Sequence, residues 1–172
     1  MDIYTELAKK TIQQYLKNES LPETKDLPKD LLSKRAGCFV SLHSKKDKSL
    51  RGCIGTILPV YKNLAGEIIS NTVAACHDSR FKPVSVKEIN DLDIQVDILS
   101  EPEHILSQKS LNPKKYGVIV KANDGRTGLL LPDLEEINDV SYQIAVARQK
   151  AGITPEELVY LYRFTVERHK GN

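Results

Sequence analysis

Arg51-Gly52-Cys53-Ile54-Gly55 is the stretch whose residue types come nearest to a chemical device. On a strand, alternation puts Arg51, Cys53 and Gly55 on one face and Gly52, Ile54 and Thr56 on the other. A cysteine acts as its thiolate, and a neighbouring guanidinium favours that form. Two readings follow. Cys53 is a reactive or ligand-contacting thiol, or it is a small buried residue on a strand packed close to a helix, with the glycines giving clearance. A nucleophilic cysteine needs a base, most often histidine, oriented by a third polar group. His77 and Asp78 have the right chemistry. Cys53, His77 and Arg51 therefore form the candidate catalytic set, with Asp78, Arg80, Gly52 and Gly55 as candidate ligand contacts. The competing reading of His77-Asp78-Ser79-Arg80 is a helix end, where His and Arg complement the negative pole of the dipole.

Other constellations are weaker. Cys38, Cys53, Cys76 and His77 offer sulfur and imidazole, as zinc prefers, but no Cys-x-x-Cys or His-x-x-x-His pair occurs. Cys76 and His77 are adjacent and on a helix would point about 100° apart, so no metal site is assigned. Arg51, Arg80, Lys82 and Arg126 could fork around a carboxylate or phosphate of a small ligand, or simply form surface ion pairs. No phosphate-binding loop and no radical-SAM cysteine triplet is present, and no cofactor is assigned.

The bulk composition narrows the classes. The chain has 172 residues, 40% apolar and 28% charged, with net charge +2. That fits one domain with a substantial core and argues against disorder. The near-neutral charge gives no global reason for nucleic-acid or membrane binding, and the basic run at Lys45, Lys46 and Lys48 reads as a solvated loop. Three cysteines and an N-terminus without a signal pattern point to the cytoplasm.

These residues must be positioned by regular elements. Spacings of three and four predict a helix over 3–17, capped by Asp2. Residues 18–35 read as a connector with one short helical turn. Phe39–Leu42 and Leu50–Thr56 read as antiparallel strands, and 61–77 as a helix ending at the His77 loop. Ser85-x-x-Glu88 is a capping box opening a short helix. Leu92–Ile98 alternates as a half-buried strand. Tyr116–Val120 and Thr127–Leu131 flank Asn123-Asp124-Gly125 as a hairpin. A helix over 140–151 stops near Gly152, and Thr154-Pro155-Glu156-Glu157 opens another. Phe164 and Val166 suggest a last strand. The class is α+β, a mostly antiparallel sheet with packed helices.

Three stretches carry a family resemblance: Leu50-Arg51-Gly52-Cys53-Ile54-Gly55-Thr56; His77-Asp78-Ser79-Arg80-Phe81-Lys82-Pro83; and Gly128-Leu129-Leu130-Leu131-Pro132 followed by Lys150-Ala151-Gly152. In order and spacing the chain resembles the AMMECR family, called AmmeMemoRadiSam system protein A in prokaryotes, over nearly its whole length. The resemblance implies one AMMECR domain spanning 1–172, a two-lobed α/β fold with a larger and a smaller lobe and a cleft between them. It also implies a link to a Memo-type protein and a radical SAM protein. It supplies no reaction. Ser79 stands where the family usually has Pro, and Asp133-Leu134-Glu135-Glu136 is more acidic than the family pattern.

Overall fold

The structure is a computed structural model and describes residues 2–171. Its chain folds as two compact units. One holds the residues up to Leu99 together with those from Glu167 onward; the other is Ser100–Val166.

The first unit opens on α1 (Ile3–Asn18), whose start is capped by the Asp2 carboxylate accepting the N–H groups of Tyr4 and Thr5 at 3.1 and 3.0 Å. The helical turn within the connector is α2 (Lys29–Ser33). Strands β1 (Cys38–Ser44) and β2 (Leu50–Gly55) pair antiparallel, with Ser41 opposite Cys53. The register slips between Leu42 and His43, so that Arg51 bulges out of the ladder. Helix α3 (Leu64–Cys76) follows, then a 3-10 turn (Val86–Asp91) and β3 (Leu92–Leu99). After the second unit, β8 (Val166–Lys170) returns to complete the sheet in the order β2-β1-β3-β8. Leu7, Ala8 and Ile12 of α1 and Leu64 and Ile68 of α3 share one core with Val40, Leu42, Val96 and Ile98 from the sheet.

Helix α3 begins three residues later than its apolar spacing predicts. Asn63 caps it by accepting the Gly66 N–H at 3.0 Å. The wholly buried Glu67 then accepts the N–H groups of Val60 and Tyr61, both at 2.9 Å, and the Thr56 hydroxyl. Glu67 thereby ties residues 56–61 back onto the first turn, while the extended backbone of Asn63, at φ −148° and ψ 169°, sets the helix start at Leu64.

In the second unit, β4 (Glu103–Ile105), β5 (Gly117–Ala122), β6 (Thr127–Leu130) and β7 (Val159–Phe164) form a sheet in the order β4-β7-β5-β6. The β5–β6 hairpin turns through Gly125 at φ +93°, which suits glycine. Helix α4 (Val140–Lys150) packs on this sheet, and Gly152 at φ +63° ends the run.

The helix expected from Thr154 does not form. Glu157 folds back to accept the Thr154 N–H at 2.7 Å, closing one turn. Arg148 then donates to the carbonyls of Thr154 and Glu157, at 2.6 and 3.1 Å. Those are acceptors a continuing helix would need, and the apolar and aromatic run from Val159 enters the sheet instead. The single last strand expected from Phe164 and Val166 is likewise two strands, β7 and β8, one in each sheet.

Candidate functional site

Strand β2 lies at the edge of the first sheet, which leaves the outward backbone groups of Cys53 without a neighbouring strand. Two side chains from the loop after α3 take that place. Asp78 Oδ2 accepts the Cys53 N–H at 2.9 Å, and Arg80 Nη2 donates to the Cys53 carbonyl at 3.1 Å. Asp78 and Arg80 also bind each other, through Nε–Oδ1 at 3.0 Å and Nη2–Oδ2 at 2.7 Å. The ion pair therefore completes the ladder as a short piece of strand would. The hydrogen bond from Arg80 holds the Asp78 carboxyl well below the usual carboxylate range, against the opposing effect of burial. In return, Asp78 raises the Arg80 guanidinium.

Gly52 faces α3. A Cβ there would stand 2.2 Å from the Ala75 carbonyl oxygen, so only glycine lets strand and helix approach this closely. Gly55 faces the other way, where a Cβ would fall 2.3 Å from the Phe39 ring. Both candidate ligand-contact glycines thus serve packing clearance.

Arg51 turns out of the bulge toward the segment after α3. It bonds Glu88 through Nε at 2.8 Å and the Lys82 carbonyl through Nη1 at 2.8 Å, and reaches the Pro83 carbonyl at 3.4 Å. Glu88 in turn accepts from the N–H and hydroxyl of Ser85, both at 2.8 Å. Arg51 thereby fastens residues 82–88 to the strand.

His77 occupies the C-terminal cap of α3 and packs edge-on against Tyr15, ring centroids 5.6 Å apart. Among the described residues, no hydrogen bond joins it to Cys53 or Asp78. The Cys53–His77–Asp78 relay imagined from sequence is not assembled. Arg126 lies in the second unit and is held by Asp124, Glu157 and the Gly152 carbonyl.

The Cys53 sulfur points to the sheet face away from α1 and α3. There it accepts the Ser41 hydroxyl at 3.2 Å. Register places Gln95 on the other side of Ser41, giving a row across three strands. One step along, the wholly buried Asp97 accepts from Arg168 Nε at 2.8 Å and from Gln95 Nε2 at 2.9 Å. His43 stands on this same face, two residues from Ser41 and opposite Asp93. Its burial lowers its pKa, which favours the neutral imidazole at neutral pH. The histidine that shares a face with Cys53 is therefore His43. Strict alternation through Phe39-Val40-Ser41-Leu42-His43 carried the signal for it.

The other two thiols are unlike Cys53. Cys38 and Cys76 are buried, which pushes them up to about 12 and about 11. Among the described residues, no group of three or more His, Cys, Asp or Glu side chains could hold a metal ion. No helix of the described residues is long and apolar enough to cross a membrane.

Comparison with known proteins bears out the family resemblance. The AMMECR1 family model matches residues 5–169. A protein of Thermotoga maritima is 48% identical over 97% of both chains. A protein of Clostridium acetobutylicum is 44% identical over 98% of this chain, a stretch that makes up 36% of that longer protein. The crystal structure of an uncharacterized protein from Pyrococcus horikoshii superposes with a TM-score of 0.89 at 31% identity, covering 98% of this chain and 90% of that one. The chain belongs to the AMMECR1 family.

Proposed function

We propose that this chain is a cytoplasmic enzyme component that presents Cys53 to a small-molecule ligand and works with Memo-type and radical SAM proteins, the partners implied by its family resemblance. One observation carries the reading. Cys53 is held at its N–H, its carbonyl and its sulfur by three different side chains, on a half-exposed polar sheet face. A thiol fixed in this way keeps one orientation toward an incoming group, as positioned chemistry requires. In the native protein, iodoacetamide is expected to modify Cys53 first, with Cys38 and Cys76 protected until unfolding. Mass spectrometry of the alkylated peptides reads the order. Inert Cys53, or equal labelling of all three thiols, overturns the reading.

A second reading, a binding module without chemistry of its own, rests on a separate observation. In the Clostridium relative the same fold-length stretch is part of a chain nearly three times longer, so this domain also occurs joined to further sequence. Co-purification with the Memo-type and radical SAM proteins separates the two. An enzyme component retains the complex in Cys53→Ala but loses the joint activity. A module retains both.

A further inference from the structure

At the far edge of the first sheet, His169 lies between two carboxylates. Its Nδ1 is 2.6 Å from Asp2 Oδ2, and its Nε2 is 3.1 Å from Glu167 Oε1. A neutral imidazole carries one N–H and one bare nitrogen, so it can donate to only one carboxylate. Both contacts are hydrogen bonds only when the ring holds both protons. From this geometry we infer that His169 is a proton-dependent clasp joining the start of α1 to the last strand of the sheet.

The surroundings suit that task. Asp2 is the cap of α1, so its two oxygens divide the work: Oδ1 holds the N–H groups of Tyr4 and Thr5, and Oδ2 faces His169. Tyr4 lies against the imidazole, centroids 4.3 Å apart, and shields it on the helix side. Glu167 is anchored from the α2 side by Lys34 at 2.8 Å. The charged and titratable groups facing the clasp are thus Asp2 and Tyr4 from α1, Glu167 from β8, and Lys34 just after α2, with Asp30 of α2 acting on Tyr4 at longer range. Arg168 alternates to the opposite face, where it pairs with Asp97.

Both carboxylates are shifted toward the ionised form. For Asp2, burial works to raise its pKa, but the Thr5 N–H and His169 outweigh it and the net shift is downward. Glu167 is lowered chiefly by Lys34. Imidazole is the side chain whose charge ordinarily changes near neutral pH. The sign follows directly. The clasp is complete on the acid side of neutrality, and one of its two bonds is lost as pH rises and that proton leaves.

The substitution that tests this is Glu167→Gln. A glutamine amide can donate to a bare Nε2 while its oxygen still accepts from Lys34, so the clasp no longer needs the second proton. The first readout is the nitrogen NMR signature of the His169 ring near neutral pH. The wild type should show both nitrogens protonated, and Glu167→Gln only one. The second is hydrogen exchange at the Tyr4 and Thr5 amides, corrected for intrinsic rate, from about pH 6 to about pH 8.5. Protection in the wild type should fall severalfold across that range, and in Glu167→Gln it should stay level. A wild-type ring with a single protonated nitrogen at the acid end of the range overturns the inference. So does protection that changes equally with pH in both proteins.

Discussion

Gly128→Ala is expected to destabilise the second unit by about 3 kcal/mol, the upper end of what overpacking costs. A Cβ at position 128 would lie 1.9 Å from the Ala147 carbonyl oxygen and 2.9 Å from its carbon. Both atoms are α4 backbone, so no rotamer change relieves the clash. Replacing glycine by alanine also stiffens the unfolded chain, which stabilises by about 0.4–1 kcal/mol, too little to offset it. Lys150 holds the same helix to the same strand by donating to the Leu129 carbonyl at 3.0 Å, so α4 cannot drift outward without losing that bond. Gly125→Ala is the control. It has no atom within 4 Å and meets only its positive φ, a cost of about 1–2 kcal/mol. Urea unfolding of the three proteins checks the order. Equal midpoints for Gly128→Ala and wild type would show that strand and helix are not in contact here.

Asp78→Ala should loosen the strand that carries Cys53. Its side chain is 3% exposed, and its loss leaves the Cys53 N–H without an acceptor and Arg80 without its anchor. An orphaned backbone donor of this kind costs about 1–3 kcal/mol. Arg80 is 57% exposed and rehydrates, so the larger part of the effect falls on β2. Hydrogen exchange of the Cys53 amide should accelerate far more than that of Val40 in the neighbouring strand. The effect has a pH sign. The folded-state pKa of Asp78 is depressed, so the stability it contributes is present above the ordinary carboxylate value, about 3.9. It is lost as pH falls through the folded-state value. The difference between wild type and Asp78→Ala should therefore be full at neutral pH and shrink in strong acid. A difference that stays constant down to strong acid would mean that Asp78 is not ionised against Arg80.

Much of this architecture is written in local pattern. Helix α1 was readable because its cap, its stripe and its length all agree, and β3 because alternation over seven residues has one interpretation. The errors arise where a side chain six to nine residues away captures a backbone group. Thr154–Glu157 carries every mark of a helix start, and Arg148 removes the carbonyls that would extend it. Tyr61 fits the α3 stripe, and Glu67 takes its N–H. Neither capture leaves a trace in periodicity. The site divides in the same way. That Asp78, Arg80 and Cys53 belong together was visible only as a pair of motifs. That they meet through backbone at a sheet edge depends on strand order, which local sequence does not encode. The sequence offers His77 as the base, whereas alternation along β1 puts His43 on the face that Cys53 shares.

The return of β8 to the first sheet has a consequence for how the protein is made. The ribosome releases residues up to Leu99 while the strand that borders β3 is still unsynthesised, so the first sheet waits with an open flank while the whole of Ser100–Val166 emerges. That intervening unit begins and ends at one place. Ser100 donates its N–H to the Thr165 carbonyl at 3.0 Å, and the Thr165 N–H returns to the Ser100 hydroxyl at 2.9 Å. Its departure and return points are thus tied together. Nascent chains arrested before Glu167 should therefore be the ones that chaperones recognise, with β3 as the exposed edge they protect.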